Sequence, residues 1–242
     1  MSVREEIADC CKRLRLSRTL ADGIEEINES DPKLFLLKVL KNEIEHREET
    51  RKARCLKSAG FYTLKTFQGY IFDNINLPSR VTVESLKSLS FLDNKQNLIL
   101  YGNVGTGKTH LATALGVAAC QKGKRVRFFR TSALVNELLD AKKGGTLGRL
   151  LKSFAKLDLL ICDEWGYVPL DRDGSRLLFQ VISDCYEQRS VIITSNLEFS
   201  RWVTIFYDEQ MTAAMIDRLV HHSYLLVFDG ESWRMRNSLI RS

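Results

Sequence analysis

Apolar and polar residues follow one another along the chain in an order that predicts strands separated by helices. Short apolar runs with the length of buried strands lie near residues 98–101, 126–130, 158–163, 190–195 and 224–228. The stretches between them carry apolar residues at helical spacing, as in Lys108 to Gln121, which Gly123 follows as a stop signal. This alternation indicates an α/β fold in which a parallel five-stranded sheet has helices on both faces.

Residues 1–58 have a different pattern, which predicts helices alone. Ser30-Asp31-Pro32 is a helix start signal, and the stretch after it has one apolar face, formed by Leu36, Leu37, Leu40 and Ile44. So short a segment cannot easily bury this face, so we expect it to pack against another subunit or a partner protein; packing on the α/β core is the alternative. We therefore divide the chain into a small all-helical N-terminal domain, residues 1–58, and an α/β domain, residues 59–242.

Residues 102–109 read GNVGTGKT, which has the G-x-x-x-x-G-K-[ST] spacing of a phosphate-binding loop. The loop stands between a predicted strand and a predicted helix, which is the setting that this motif requires. Lys108 supplies a charge for β- and γ-phosphates, and the Thr109 hydroxyl can bind Mg²⁺. A glycine-rich turn without a ligand would explain neither residue. The predicted nucleotide contacts are Gly102, Asn103, Val104, Gly105, Thr106, Gly107, Lys108, Thr109 and His110.

Two other predicted strands end in polar residues. Asp163 and Glu164 come at the C-terminal end of one strand, where open α/β sheets bind ligands. We predict that Asp163 holds Mg²⁺ and that Glu164 accepts a proton from an attacking water or orients it; solvated carboxylates are the alternative. Asn196 follows the strand near 190–195, and beside these motifs we predict that it reaches the γ-phosphate or the same water, rather than only forming a turn.

These motifs resemble those of the IstB-like ATP-binding helper proteins of bacterial insertion sequences. That family consists of AAA+ ATPases related to the DnaC-type helicase loaders. The resemblance covers most of residues 56–240, and the runs GYVPLD and DRLVHH are specific to this group. It rests on GNVGTGKTHLA at 102–112, DLLICDEWGYVPLDR at 158–172, SVIITSNL at 190–197, AAMIDRLVHHS at 213–223 and GESWR at 230–234.

The resemblance implies the AAA+ strand order, ATP with Mg²⁺ as the cofactors, and a homo-oligomer with each ATP at a subunit boundary. It further implies that Arg218 matches the arginine finger that a neighbouring subunit contributes. A guanidinium suits the phosphoryl charge that grows during hydrolysis. An ion pair of Arg218 on a helix surface is the alternative. Because the chain ends soon after the fifth predicted strand, we expect no separate lid domain.

The composition limits the classes of protein that fit. The chain has 242 residues, of which 44% are hydrophobic, enough for one α/β core and a small appended unit. No stretch has the length of a membrane span and no leader opens the chain, so we expect a cytoplasmic protein without a membrane partner. The six cysteines lack C-x-x-C spacing and a partner histidine cluster, so we expect no zinc site. The adjacent His221 and His222 could suggest a metal, but we expect them to point in different directions and to have a structural role.

The net charge of +6 permits a nucleic-acid partner, and its distribution favours one. Residues 121–156 contain ten Lys or Arg and two acidic residues, so this window carries 10 − 2 = +8. A solvated helix face, the alternative, usually mixes both signs. In the family that the chain resembles the partner is DNA, so we expect double-stranded DNA here. The candidate DNA contacts are Lys142, Lys143, Arg149 and Lys152.

Three functions are consistent with these features. The first is an ATPase that binds DNA and assists a transposase in target selection and activation. The second is a replicative helicase loader, which shares the core chemistry and differs in its partner. The third is a phosphotransferase with the same phosphate loop, which would need a pocket for an acceptor and would gain nothing from Glu164 beside Asp163.

Overall fold

A computed structural model describes residues 2–17, 19–167, 170–206 and 208–236. The chain forms two compact units, Met1–Arg54 and Cys55–Ser242. The first unit is helical: it contains α1 (Val3–Arg13), α2 (Leu20–Gly23), a 3-10 turn and most of α3 (Pro32–Ser58). Helix α3 continues across the division between the units and ends at Ser58.

A buried carboxylate organises the first unit. Glu43 on α3 accepts hydrogen bonds from the Ser17 backbone N–H at 3.1 Å, from the Ser17 hydroxyl at 2.6 Å and from Nε of Arg47 at 2.6 Å. Burial raises the pKa of Glu43, but these hydrogen bonds together outweigh burial and lower it. The apolar residues of the predicted α3 face stay exposed, namely Leu36, Leu37, Leu40 and Ile44.

The second unit alternates strands and helices as predicted. Within the described ranges, no helix of the protein is long and apolar enough to cross a bilayer. The remaining elements, in chain order, are β1 (Ile75–Asn76), α4 (Val83–Ser88), α5 (Ser90–Asp93), β2 (Asn97–Gly102), α6 (Lys108–Gln121), β3 (Val126–Arg130), α7 (Thr131–Lys143), α8 (Leu147–Phe154), β4 (Leu159–Trp165), α9 (Arg172–Cys185), β5 (Ser190–Ser195), α10 (Val203–Phe206), α11 (Glu209–His221), β6 (Ser223–Phe228) and α12 (Trp233–Arg236).

The sheet has the strand order β1-β6-β2-β5-β4-β3. Strands β2 to β6 are the five predicted strands, and they pair with one another in parallel. The order inserts β5 between β2 and β4, although β5 follows both in sequence. The C-terminal ends of these three strands therefore meet at one edge of the sheet, which is the edge where parallel sheets bind ligands.

The sheet differs from the predicted one by a sixth strand. Strand β1 pairs antiparallel with β6 and contributes only Ile75 and Asn76, which face Phe228 and Val227. Two residues are too few to show a hydrophobic period, so this strand leaves no signal in the sequence. Its pairing covers the outer edge of β6.

The apolar residues of the strands separate into two cores, one on each face of the sheet. In β4, Leu159 and Ile161 belong to the core beneath α6, whereas Leu160 and Cys162 belong to the core beneath α7 and α9. Successive side chains of a strand point to opposite faces, so a continuous apolar run fills both layers. This double burial holds the strand ends in fixed positions relative to one another.

Candidate nucleotide-binding site

The phosphate loop, Gly102–Thr109, leaves β2 and turns directly into α6. Gly102 has φ +148° and Gly105 has φ +83°, a region of backbone conformation that favours glycine. A Cβ on Gly102 would overlap the carbonyl oxygen of Phe228 in the neighbouring β6. The loop can therefore approach β6 closely, and α6 begins at Lys108 with its N-terminal N–H groups facing the loop.

Lys108 folds back on its own loop. Its Nζ donates hydrogen bonds to the carbonyl oxygens of Gly102 at 2.7 Å and of Asn103 at 2.6 Å. Burial lowers the pKa of Lys108 to about 8; the charge of Asp163 opposes this and that of Arg234 adds to it. Neutral carbonyls compensate a desolvated ammonium only in part, so anionic phosphate oxygens are better partners for this group.

Asp163 connects the phosphate loop to the neighbouring strands. Its side chain is 3% exposed, and Oδ1 accepts hydrogen bonds from the hydroxyls of Thr109 at 2.9 Å and of Thr194 at 2.5 Å. The hydroxyl of Thr131, the first residue of α7, donates to the Asp163 carbonyl oxygen at 2.9 Å. The carboxylate and the Thr109 hydroxyl are oxygen donors in contact with each other, which fits the ligand preference of Mg²⁺.

Strand β4 is irregular at Glu164, which is exposed although it follows the buried Asp163 directly. The register of β4 with β5 shifts between Cys162 and Trp165, and Glu164 has φ +58°. Its backbone N–H donates to the Thr194 hydroxyl at 3.0 Å instead of continuing the ladder. Irregularities of this kind re-aim side chains beside functional sites. The result is a buried Asp163 followed by an exposed Glu164.

Arg130, at the end of β3, holds the Glu164 side chain. Its Nε lies 3.6 Å from Oε2 of Glu164, and its guanidinium lies 4.6 Å from the centre of the Tyr62 ring. Both side chains of the ion pair are about half exposed, so solvent screens their attraction. Arg130 leads directly into α7, so the orientation of Glu164 depends on the position of that helix.

Asn196 follows β5 directly and is exposed. The last residue of β5, Ser195, pairs with Tyr101 of β2 on one side and with Trp165 of β4 on the other. Asn196 therefore lies at the end of the strand that separates the phosphate loop from the Asp163-Glu164 pair.

Two aromatic rings border the other side of the loop. The Tyr70 hydroxyl donates to the Gly107 carbonyl oxygen at 3.2 Å, and the Tyr70 and His110 rings lie 4.8 Å apart. Nε2 of His110 lies 2.9 Å from the carbonyl oxygen of Thr66. His110, a predicted nucleotide contact, thus faces the segment before β1. Tyr70, one of the aromatic residues before β1, therefore touches the loop.

The segment after β6 contacts the phosphate loop. The sequence patterns did not indicate this contact. The Trp233 backbone N–H donates to the Gly105 carbonyl oxygen at 3.0 Å, and Ser232 occupies the space that a Cβ on Gly105 would need. The charge of Arg234 is close enough to lower the pKa of Lys108. The C-terminal helix α12 therefore lies against the phosphate loop.

Comparison with known proteins identifies the family. The family model described as "IstB-like ATP binding protein" matches residues 20–240. The chain belongs to this family. It is 34% identical over 245 residues, 99% of this chain and 97% of the relative, to the "Insertion sequence IS5376 putative ATP-binding protein" of Geobacillus stearothermophilus. It is 38% identical over 202 residues, 84% and 76% of the two chains, to the "Insertion sequence IS21 putative ATP-binding protein" of Pseudomonas aeruginosa.

Solved structures place this IstB-like chain in the AAA+ fold. AMPPCP-bound DnaA from Aquifex aeolicus superposes with a TM-score of 0.55 at 20% identity, over 71% of this chain and 52% of that one. DnaI superposes with a TM-score of 0.53 at 17% identity, over 69% and 89%. The chain spans about half the length of the DnaA chains that it matches. At such identities the likeness concerns the fold alone.

Arg218 lies far from the phosphate loop of its own subunit. It is three residues before the end of α11, which leads into the start of β6, and Ser223 there pairs with Asn97, the first residue of β2. The phosphate loop begins at the other end of β2, about 17 Å away along five strand residues. The Arg218 guanidinium lies 5.0 Å from the centre of the Phe179 ring and donates to the Ala214 carbonyl oxygen at 3.4 Å.

The four DNA candidates are exposed at the end of α7 and on α8. Lys142 differs from the others, because its Nζ lies 2.8 Å from Oδ2 of Asp173. Within the described ranges, Lys143, Arg149 and Lys152 have no carboxylate oxygen within 4.0 Å. The +8 excess is also reduced in space, because further cations of the window pair with acidic residues. These pairs are Lys124–Asp93, Arg125–Asp158 and Arg130–Glu164, whose acidic residues lie outside the window.

The close approach of Gly102 to β6 generates a prediction. We expect Gly102→Ala to lower the melting temperature by about 4–10 °C, since a strained φ costs about 1–3 kcal/mol and the Cβ meets a backbone atom. We also expect weaker nucleotide binding, because the start of the loop must move. Thermal unfolding and nucleotide titration measure both effects. Gly148→Ala is the control, because its Cβ meets nothing within 4 Å; equal stability of the two variants would contradict the prediction.

Proposed function

We propose that this chain is an ATPase that binds double-stranded DNA and assists a transposase in DNA transposition, in target selection and in transposase activation. The observation that carries the enzymatic part is the hydrogen bond of 2.9 Å between Thr109 and Asp163, with Glu164 next in the chain. It joins the phosphate loop to a carboxylate pair in which one member is buried and the other is exposed. The AMPPCP-bound DnaA of the same fold supports ATP as the ligand.

In this proposal the chain positions the reactants and moves one proton. Lys108 exchanges its carbonyl partners for the β- and γ-phosphate oxygens, and the loop N–H groups surround the phosphates. Thr109 and Asp163 would hold Mg²⁺, which neutralises phosphate charge when bound. Glu164 takes a proton from water as the water oxygen bonds to the γ-phosphorus and the bond to the bridging oxygen breaks, which releases ADP and phosphate. Asn196 orients that water.

The position of Arg218 supports hydrolysis between subunits. The residue is near the N-terminal edge of the sheet, whereas the phosphate loop is at the C-terminal edge, which favours a role of Arg218 at the nucleotide of a neighbouring chain. An arginine finger supplied by a neighbour would place its guanidinium on the charge that develops at the γ-phosphate. This arrangement makes the homo-oligomer the active form, with ATP at each subunit boundary.

The DNA and transposase parts of the proposal rest on the family and on surface charge. The relatives named above are proteins of insertion sequences, and a second structure of similar fold is that of a replication initiator DnaA bound to AMPPCP and single-stranded DNA. Lys143 at the end of α7 and Arg149 and Lys152 on α8 are exposed. Among the described residues, none of the three has a carboxylate oxygen within 4.0 Å. A replicative helicase loader is the second candidate, which shares the core chemistry and differs in its partner.

The chemical part is tested by two substitutions. Lys108→Ala should abolish ATP binding, because the phosphates lose their main cation. Glu164→Gln should bind ATP normally and hydrolyse it at least about 100-fold more slowly, because only the proton acceptor is lost. Nucleotide affinity and steady-state phosphate release measure these effects. The controls are the exposed Lys65→Ala and Glu84→Gln; normal ATP affinity in Lys108→Ala would refute the loop assignment.

The arrangement between subunits is tested by mixing variants. Arg218→Ala should bind ATP and hydrolyse it about 10³- to 10⁵-fold more slowly. Adding Lys108→Ala subunits should restore part of the activity, because they supply Arg218 to sites that retain Lys108. The matched control is the double variant Lys108→Ala/Arg218→Ala, which should restore nothing. No recovery in verified mixed oligomers would mean that Arg218 acts within its own chain or has a structural role.

DNA binding is tested by salt titration. Contacts to phosphate release counterions, so affinity should fall steeply with salt and depend weakly on sequence. Replacing Lys143, Arg149 and Lys152 with Ala should reduce the log-log slope by about one unit per lost phosphate contact. Adding Lys142→Ala should change it less, because Asp173 already compensates Lys142. The control is Lys124→Ala, in which a paired cation is removed; an unchanged slope in the triple variant would place the DNA elsewhere.

A further inference from the structure

Two histidines and a glutamate converge at the edge of the sheet opposite the phosphate loop. Glu187 is in the turn between α9 and β5, His221 is the last residue of α11, and His222 follows it. Nε2 of His222 lies 3.0 Å from Oε1 of Glu187, and the two imidazole rings are 4.4 Å apart. One possible ligand atom from each of the three residues lies within 4.8 Å of the other two.

The end of α11 explains why adjacent histidines converge. In a continuing helix, successive side chains are rotated by about 100°, which is the reason for the expected divergence of His221 and His222. His222 instead has φ −118° and ψ 33°, outside the helix, and its carbonyl oxygen accepts a hydrogen bond of 2.7 Å from the Asn97 backbone N–H. The expectation that the two side chains point apart is therefore wrong.

Neighbouring groups orient His221 and Glu187. Nδ1 of His221 lies 2.8 Å from the Tyr186 hydroxyl, so Nε2 of that ring is left for a further ligand. A histidine that binds a metal usually makes such a hydrogen bond with its other ring nitrogen. Glu187 has φ +56°, a conformation that non-glycine residues rarely adopt and that aims its carboxylate at His222.

From this arrangement we propose that Glu187, His221 and His222 bind a divalent transition-metal ion of the zinc class. Two imidazoles and one carboxylate are ligands that such ions accept, whereas Mg²⁺ and Ca²⁺ prefer oxygen alone. Tetrahedral zinc with ligands at about 2.0–2.1 Å separates them from one another by about 3.3 Å. The Glu187–His222 distance of 3.0 Å is close to this value, and one ligand atom of His221 lies within 4.8 Å of the other two.

The ion would join the α9–β5 turn to the end of α11. Arg218 is three residues before His221 and therefore about one helical turn from the site. A bound metal would reduce the mobility of the helix end that carries Arg218. Three protein ligands leave one tetrahedral position for water.

The test is a titration of the metal-free full-length protein with ZnCl₂, without nucleotide and under reducing conditions. We expect one Zn²⁺ per chain and a higher melting temperature. His221→Ala, His222→Ala and Glu187→Gln should each weaken binding at least about tenfold, and Tyr186→Phe by about 10- to 100-fold because Tyr186 positions His221. A tenfold excess of Mg²⁺ should not compete. Co²⁺ should give the visible absorption of a site with nitrogen and oxygen ligands.

Two controls separate this site from other zinc ligands. His46→Ala and Cys10→Ser remove an exposed imidazole and an exposed thiol elsewhere in the chain, and neither should change zinc affinity. Unchanged ATP affinity verifies that each variant is folded, because the phosphate loop lies at the other edge of the sheet. Three results would each overturn the proposal. They are the lack of saturable binding at one ion per chain, zinc affinity in the three ligand variants equal to that of the unsubstituted protein, and loss of binding in Cys10→Ser.

Discussion

The nucleotide-binding edge depends on the buried carboxylate of Asp163. A charged group in this position is costly unless hydrogen bonds compensate it, and the hydroxyls of Thr109 and Thr194 do so. A third hydroxyl, that of Thr131, binds the Asp163 backbone. These three bonds connect β4 to the first turns of α6 and α7 and to the end of β5. The carboxylate that we assign to Mg²⁺ is thus also the residue that positions the elements around it.

At the same edge, the backbone conformation gives the neighbouring carboxylates of Asp163 and Glu164 different positions. In a regular strand, Asp163 and Glu164 would point to opposite faces of the sheet. The shifted register and the positive φ of Glu164 instead lift its side chain to the solvent, where Arg130 meets it. Two groups of one chemical type thereby acquire different environments, as general acid-base chemistry beside a bound cation requires. The helix that follows Arg130 ends in the basic segment proposed for DNA, so one element connects the two regions.

The opposite edge of the sheet carries Arg218 and the proposed zinc ligands, which lie away from the phosphate loop of the same chain. Arg218 and the proposed zinc ligands share the end of α11, about one strand length from the phosphate loop. If Arg218 acts in a neighbouring subunit, the chain is an incomplete enzyme by itself, and assembly controls its activity. In a chain of this design, interactions that fix the end of α11 would affect hydrolysis in the next subunit without touching its nucleotide.

The sequence by itself determined the five parallel strands, the phosphate loop and the Asp163-Glu164 pair, because each follows from local periodicity or from fixed spacing. Tertiary structure alone decided the rest. Strand β1 depends on pairing with β6, and the hydroxyls of Thr131 and Thr194 reach Asp163 only through the strand order. Ser232 and Trp233 contact Gly105 across more than a hundred residues, and Asp173 partly neutralises Lys142. The convergence of His221 and His222 required the end of a helix at one particular residue, which the sequence patterns specify only to within a few positions.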